Sequence, residues 1–344
     1  MRRCSYLHAD LILSRTVLIL VRFAGSMRNL PDMMETTYDL VAQVPEGKVT
    51  TYGEVARALG DTVASRFVGV AMSMNQDIVR VPCRRVVQSD GSLGGYTGGG
   101  PRKKGRLLRE EGVAVESGRI VNLDKILFKD FVTTSPLVEL RRRQRRLRKH
   151  LSTAGYSARV SRVAGIDVAY DGDHAFAAMV VFDHDSGEEV EQYVIEAEAK
   201  FPYIPTYLAF REIPVIEALM KYVGRDTVLM YDGNGVLHPE GFGIASQLGV
   251  VFDLPTIGVA KKLLCGQVYR QSASPQQIRM NGKVVGYAVS PRRGVKPVYV
   301  SVGHKLSVTQ AKTVTAKYLK HRIPEPTRRA HIVAEAARYG TNNK

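Results

Sequence analysis

Acid is the first thing this chain lacks. Against 49 Lys and Arg stand 33 Asp and Glu, so its 344 residues carry a formal net charge of +16. That imbalance points to a polyanionic partner, most simply nucleic acid. The excess runs along the whole chain: residues 1–130 hold 19 basic and 14 acidic residues, +5, and residues 131–344 hold 30 and 19, +11. One neutral globular domain trailing a basic tail is therefore excluded. Cysteine is scarce too. Cys4, Cys83 and Cys265 form an odd set with no short metal-type spacing, which fits a reduced, cytoplasmic setting. A membrane-length apolar run is also missing, because Leu11–Phe23 is broken by Arg15 and Arg22 and falls short of the about 20 residues that a span needs. Arg2 and Arg3 ahead of it also fit a signal peptide. Met27, Met33 and Met34 are further possible starts, so residues 1–34 are read as an N-terminal extension with no assigned function. A chain of this length holds two domains, each with its own core.

What is present centres on three acids. Asp167 ends the apolar run Val163–Ile166, and Asp232 follows Val228–Tyr231, so each sits at the end of a short buried-looking strand. Glu212 falls about two helical turns into a segment that begins near Pro205, where proline pre-sets the first turn. Carboxylates with apolar neighbours are costly to bury without a positive partner, and a hard divalent cation is the simplest one. The same spacing also fits ordinary strand-end and helix-face residues. Pro202-Tyr203-Ile204-Pro205 excludes an interior strand or helix and predicts a rigid extended turn. Such a turn would hold Tyr203 and Ile204 out as a stiff wedge of the kind that unstacks bases. Asp232-Gly233-Asn234-Gly235-Val236-Leu237-His238-Pro239 and Gly258-Val259-Ala260-Lys261 put a glycine turn, a histidine and a lysine directly after apolar strands, the usual place for a site in an α/β sheet.

These motifs, with Ala164–Tyr170, Phe201–Glu212, Pro255–Lys261, Ser301–His304 and Arg322–Arg328 through His331, occur in the order found in endonuclease V. Over residues 133–339 the chain resembles that family, which nicks nucleic acid beside deaminated adenine. The resemblance implies a ribonuclease H-like α/β domain with Mg²⁺ held by Asp167 and Asp232, Mn²⁺ as a substitute, and Glu212 as a third carboxylate close by. It implies that Lys261 offsets charge on the phosphate and that His238 orients water or contacts a phosphate. His304 and His331 are weaker candidates. Pro202, Tyr203, Ile204 and Pro205 would form the wedge beside the lesion. The family's Gly-Gln-Gly reads Gly233-Asn234-Gly235 here.

The first half reads as helices over Thr37–Val44, Gly53–Leu59 and Thr62–Met74, a helix-turn-helix whose second helix enters a DNA groove. Cys83 then stands between Pro82 and Arg84-Arg85, where guanidiniums favour a thiolate, although a small buried cysteine fits as well. Gly91–Gly100 is too glycine-rich for a regular element, and it lacks the Lys-Ser/Thr ending of a phosphate-cradling P-loop. Tyr52, Arg66, Asn75, Pro82-Cys83, Gly95–Gly99 and Glu111 give residues 36–113 a resemblance to the DNA-binding domain of alkylguanine-DNA alkyltransferase. That resemblance implies Cys83 as acceptor, Arg66 filling the gap left by a flipped base, Tyr52 crowding the 3′ phosphate, and Tyr96 walling the pocket. The family's separate N-terminal domain is missing. Its Pro-Cys-His-Arg reads Pro82-Cys83-Arg84-Arg85, and arginine cannot replace histidine as a relay between thiol and Glu111 because it stays protonated.

Between the halves, Leu137–Leu151 has helical leucine spacing and seven Arg/Lys between Arg141 and Lys149. It reads as a solvated helix face suited to gripping phosphates, with a nuclear-localisation signal as a lesser reading. The expected architecture is therefore a small helical helix-turn-helix, winged-helix-like alkyltransferase domain over 35–130, followed by the nuclease domain over 131–344. Its partner would be double-stranded DNA with deaminated or alkylated bases, with no membrane and no obligate protein partner. Two alternatives stay open: inosine in RNA as nuclease substrate, and a first domain that senses alkyl lesions without turnover.

Overall fold

The computed structural model describes residues 27–269 and 274–341, so the apolar stretch at 11–23 lies outside the described residues. The chain gathers into two compact units. One comprises Leu30–Arg142 with Phe201–Tyr207, and the other Arg143–Lys200 and Leu208 onward together with the residues before Leu30.

The first unit opens with α1 (Met33–Ala42), capped by the Asp32 carboxylate, which accepts from the Glu35 N–H at 2.9 Å. After β1 (Thr50–Thr51), α2 (Tyr52–Leu59) is capped by Thr51 and stopped by Gly60 in the left-handed region. The expected third helix divides: Thr62–Ala64 is a 3₁₀ turn started by Asp61, and α3 runs Ser65–Met74. Val55, Ala56, Ala58 and Leu59 of α2 and Phe67, Val68, Ala71 and Met72 of α3 are buried, giving the expected pair of helices its core. Cys83–Arg85 forms a further 3₁₀ turn leading into β2 (Val86–Val87), which pairs in parallel with β1. The glycine-rich stretch ends in a helix that the composition hides, α4 (Gly100–Glu110), burying Lys104, Gly105 and Leu108. A small hairpin of β3 (Val115–Glu116) and β4 (Arg119–Ile120), a single turn α5 (Leu123–Ile126) and the start of α6 (Pro136–Arg148) follow.

A partly buried node ties separate segments of this unit together at Asp61. Its carboxylate accepts from Arg141 and from the Tyr207 hydroxyl, both at 2.9 Å, and the Arg141 guanidinium lies 4.1 Å over the Tyr207 ring. Burial alone would raise the Asp61 carboxyl, but bonds from Arg141, the Val63 N–H and Tyr207 hold it below the ordinary aspartate range. A depressed carboxyl contributes stability that is present above the unfolded value of about 3.9 and lost as pH falls through the lower folded value. Asp61→Asn should therefore lower the urea midpoint at pH 6, and the gap from wild type should shrink as the pH approaches 3. A gap that does not change with pH would contradict this role.

The second unit is built on one mixed sheet. Its strands are β5 (Arg162–Asp171), β6 (His174–Asp183), β7 (Glu189–Glu198), β8 (Thr227–Tyr231), β9 (Thr256–Ala260), β10 (Gln267–Tyr269), β11 (Gln276–Met280), β12 (Lys283–Val289) and β13 (Val298–His304). Their order across the sheet is β10-β11-β12-β13-β9-β8-β5-β6-β7. β5, β8 and β9 run parallel at the centre, and every other pairing is antiparallel. Asn281 and Gly282, both with positive φ, turn the β11–β12 hairpin as the dipeptide predicts. The short β10 was not legible in the sequence. α7 (Leu208–Ile216), α8 (Ile244–Phe252), α9 (Val308–Lys317) and α10 (Glu325–Thr341) cover the sheet. The main core joins Val163, Val228, Met230, Ile257, Val259 and Val300 of the strands to Val314 and Ala330 of the helices. Gly165 lets α10 lie directly on β5, where an added Cβ would collide with the Pro326 carbonyl group. No helix among the described residues is long and apolar enough to cross a membrane.

Candidate active sites

Parallel register brings the two acids together: Asp232 directly follows β8, whereas Asp167 lies inside β5, which runs on to Asp171 instead of ending at the acid as expected. Ile166 of β5 pairs with Tyr231 of β8, so Asp167 and Asp232, one residue further on, stand side by side. Period-two alternation sends both to the face that carries Val163, Val228 and Met230. Lys261, just past β9, shares the alternation of Ile257 and Val259, and its ammonium pairs with Asp232 Oδ2. His331 of α10 places Nδ1 2.7 Å from Asp167 Oδ2. Burial raises the Asp167 carboxyl and the charge of Asp232 raises it further, with the His331 hydrogen bond opposing both. The loop after Asp232 is pinned from both ends: Gly233 N–H donates to Val259 O at 3.1 Å, and Val236 N–H donates to Val302 O at 2.8 Å. Gly235 is needed there, because a Cβ would meet the Val302 carbonyl.

Glu212 is held differently. Tyr170 and Tyr231 fall on the opposite alternation from the acid pair. Their hydroxyls donate to Glu212, Tyr231 to Oε2 at 2.5 Å and Tyr170 to Oε1 at 3.3 Å. Burial pushes the Glu212 carboxyl up to about 7, against the Tyr231 hydrogen bond, and the charge of Asp167 adds to the rise. Among the described residues no three His, Cys, Asp or Glu side chains converge as a ready metal cage. The carboxylate oxygens in common reach are the Asp167–Asp232 pair, with Glu212 behind them.

Expectations for this half need correction at the helix start and at the wedge. The helix carrying Glu212 starts at Leu208, not near Pro205, because Thr206 has φ +68 and the left-handed region interrupts any helix there. Pro214 lies within it, and Glu217–Tyr222 continues as 3₁₀. The wedge is narrower than its sequence suggests. Tyr203 is 58% exposed, but Ile204 is fully buried and anchors the turn with Phe201, so one side chain projects rather than two. Pro202 and Pro205 are partly buried on either side. His238 is buried, and its Nδ1 accepts from the Glu240 N–H at 3.2 Å, which braces the Asp232–Pro239 loop. His304 is a core residue, its Nδ1 accepting from the Ser152 N–H at 3.1 Å and its ring pushed by burial down to about 4.

In the first unit a cavity of about 300 Å³ opens over Cys83, lined by Tyr52, Gly69, Met72, Gly95, Tyr96 and Thr97 among others. The Cys83 residue is buried. The Tyr96 hydroxyl is buried without a hydrogen-bond partner among the described residues, a polar atom that a ligand in this cavity could satisfy. Arg66 stands exposed in the first turn of α3. Asn75 ends that helix and is buried, its side chain donating to Val81 O at 2.9 Å and accepting from the Asp77 N–H at 3.0 Å, so it shapes the loop toward Cys83.

The arginines beside Cys83 point elsewhere. Arg84 Nε donates to Glu111 Oε1 at 2.5 Å and Arg84 also reaches Ile78 O, while Arg85 binds both oxygens of Glu111, at 2.8 and 2.9 Å. Burial would raise the Glu111 carboxyl, but this double guanidinium clamp holds it below the ordinary range. The charge that the sequence sets beside the thiol is thus committed to Glu111.

A family model for endonuclease V matches residues 145–332, more than half the chain. The chain belongs to the endonuclease V family. A second model, for the DNA-binding domain of 6-O-methylguanine DNA methyltransferase, matches residues 32–113. A bifunctional methyltransferase/endonuclease of Picrophilus torridus is 36% identical over 300 residues, covering 87% of this chain and 95% of that one. Endonuclease V of Thermofilum pendens is 47% identical over 180 residues, 52% of this chain and 78% of its own. Among solved structures, endonuclease V of Streptomyces avermitilis (37% identity, TM-score 0.56) covers 60% of this chain and 94% of its own, and human endonuclease V (32%, 0.54) covers 60% and 99%. The expected fold class therefore holds: an alkyltransferase-like DNA-binding domain followed by an α/β nuclease with a mixed sheet. The chain is a DNA-repair endonuclease fused to an alkylguanine-transferase-like domain, and endonuclease V is a metal-dependent nuclease family.

Several side chains in these sites carry little sequence signal. Tyr170 and Tyr231 end apolar strands as any core tyrosine does. Lys104 hides among basic neighbours, although its spacing of four from buried Leu108 on α4 marks the inward face.

Proposed function

We propose that the nuclease half, residues 131–344, uses Mg²⁺ to nick double-stranded DNA 3′ to deoxyinosine, and that the alkyltransferase half, residues 35–130, takes O6-alkyl groups from guanine onto Cys83, both in the cytoplasm. The Asp167–Asp232 pair carries the nuclease reading. Two adjacent carboxylates at a sheet switch point, repelling one another and balanced by Lys261 and His331, form a hard-oxygen donor set suited to a small divalent cation. When bound there, Mg²⁺, or Mn²⁺ in its place, supplies Lewis-acid polarisation of the scissile phosphate and eases deprotonation of the attacking water. His331 holds Asp167 in orientation. Lys261, half exposed beside Asp232, is placed to offset charge on the phosphate. Glu212, kept high by burial between two tyrosine hydroxyls, fixes the floor of the site. Chelation should stop nicking of a deoxyinosine duplex and added Mg²⁺ should restore it; nicking that survives chelation would reject the metal assignment.

Tyr203 supports lesion reading rather than chemistry, being an exposed ring in a proline frame with Ile204 locked beneath. Tyr203→Ala should lose roughly tenfold or more in discrimination between inosine and adenine duplexes, in line with about 1–3 kcal/mol per stacked base, before it loses cleavage. A variant as selective as wild type would exclude the wedge role. The Ciona intestinalis endonuclease V, 29% identical with TM-score 0.54, was solved with a DNA containing inosine followed by a ribo-adenosine. That observation favours a second reading, inosine in RNA, and nicking that requires a 2′-hydroxyl at the scissile position would select it.

On the alkyltransferase side, the Cys83 sulfur attacks the O6-bound carbon as thiolate. The carbon–oxygen bond breaks as the carbon–sulfur bond forms, and guanine leaves as its anion and takes up a proton.

A further inference from the structure

Glu111 and its two arginines leave open which group balances a negative sulfur at Cys83. Lys104 is fully buried on α4. Its ammonium donates to Val86 O at 2.6 Å and to Gly95 O at 3.2 Å, and no carboxylate pairs with it among the described residues. Val86 follows directly on the 3₁₀ turn that begins at Cys83, and Gly95 lines the cavity above the thiol. The ammonium thus ties the back of the cysteine turn to the wall of its cavity. A cation held in the interior by two carbonyl dipoles alone is poorly compensated. Burial pushes it down to about 8, and negative charge at Cys83 is the opposing influence.

The geometry points to Lys104 as a positioning residue that serves as counter-cation to the Cys83 thiolate and fixes the Gly95 wall. This rests on Cys83 being the acceptor and supplies the role that histidine and Arg84 do not fill. The other ionisable groups that line the cavity with the thiol are Tyr52 and Tyr96, each raised by burial and by charge at Cys83. Neutral tyrosines cannot balance a thiolate, and Arg84 and Arg85 are committed to Glu111.

The test needs neither lesion nor methyl transfer. The full chain is treated with iodoacetamide across pH 5–10, and alkylation of the Cys83 peptide is followed by mass spectrometry. Lys104→Met should move the Cys83 profile upward by at least about one pH unit and slow alkylation at pH 7 by roughly tenfold, as expected on losing an adjacent opposite charge. Lys104→Arg, whose cation persists at every pH used, should keep the wild-type profile. An unshifted profile in a folded Lys104→Met protein overturns the inference. If that variant fails to fold, an Arg variant whose profile rises to that of a free thiol overturns it instead. A Lys104-dependent profile in a protein that never accepts a methyl group leaves this inference standing and removes the transfer reading. Methyl transfer with a Lys104-independent profile does the reverse.

Discussion

Asp232→Ala abolishes nicking of deoxyinosine DNA while leaving binding to that DNA within a few-fold of wild type: this is the largest effect expected. The substitution removes one of the two carboxylates that stand side by side and strands Lys261 without its partner. Metal-assisted stabilisation of phosphoryl-transfer charge is worth several kcal/mol, and about 4 kcal/mol already corresponds to a thousandfold in rate. Single-turnover nicking should therefore fall by at least about a thousandfold. On the proposed reading, binding rests on the basic surface and on Tyr203, neither of which the substitution alters. Asp232→Asn separates charge from shape, since it keeps the volume and should lose nearly as much. A residual rate near wild type in either variant would remove Asp232 from the reaction.

The second large effect concerns Cys83. Incubated with O6-methylguanine DNA, the wild-type chain should gain a single methyl on the Cys83 peptide and then stop, because the thioether cannot leave. Cys83→Ser should gain none. Glu111, clamped by Arg84 and Arg85, is held in its ionised, fully hydrogen-bonded form and is poorly placed to draw the thiol proton through a relay. Arg84→His restores a titratable base while Arg85 keeps its two bonds to Glu111. A positioned general base is typically worth about 10²–10⁴-fold, so transfer should speed by at least about tenfold in that variant. Intact-mass analysis reads both results. Tight binding of the alkylated duplex with no mass gain, in Asp232→Ala background, would make this half a lesion sensor.

Much of this was legible because the informative residues sit where backbone rules are strict. Asp167 and Asp232 each follow the apolar run of a strand, and parallel pairing then brings them together, although β5 continues past Asp167 to Asp171. The Asn281-Gly282 turn and the two helices around Gly60 follow from residue chemistry alone. Other features depend on side chains meeting across the fold, which spacing does not encode. Ile204 looks like Tyr203 in a proline frame, yet one is buried and one exposed, because the turn needs an apolar anchor beneath it. The same limit hid the pairing of Glu212 with Tyr170 and Tyr231, and the commitment of Arg84 and Arg85 to Glu111. Helix α4 was masked by the glycines that open it, and with it the inward face that carries Lys104.

The central claim is most directly tested by the cut itself, mapped on a duplex carrying a single deoxyinosine in one end-labelled strand. With Mg²⁺ present, the account predicts one product from the labelled strand, cut 3′ to the inosine, and none from the matched adenine duplex or without a divalent cation. Cutting that ignores the inosine, or binding with no cut at any Mg²⁺ concentration, would contradict it.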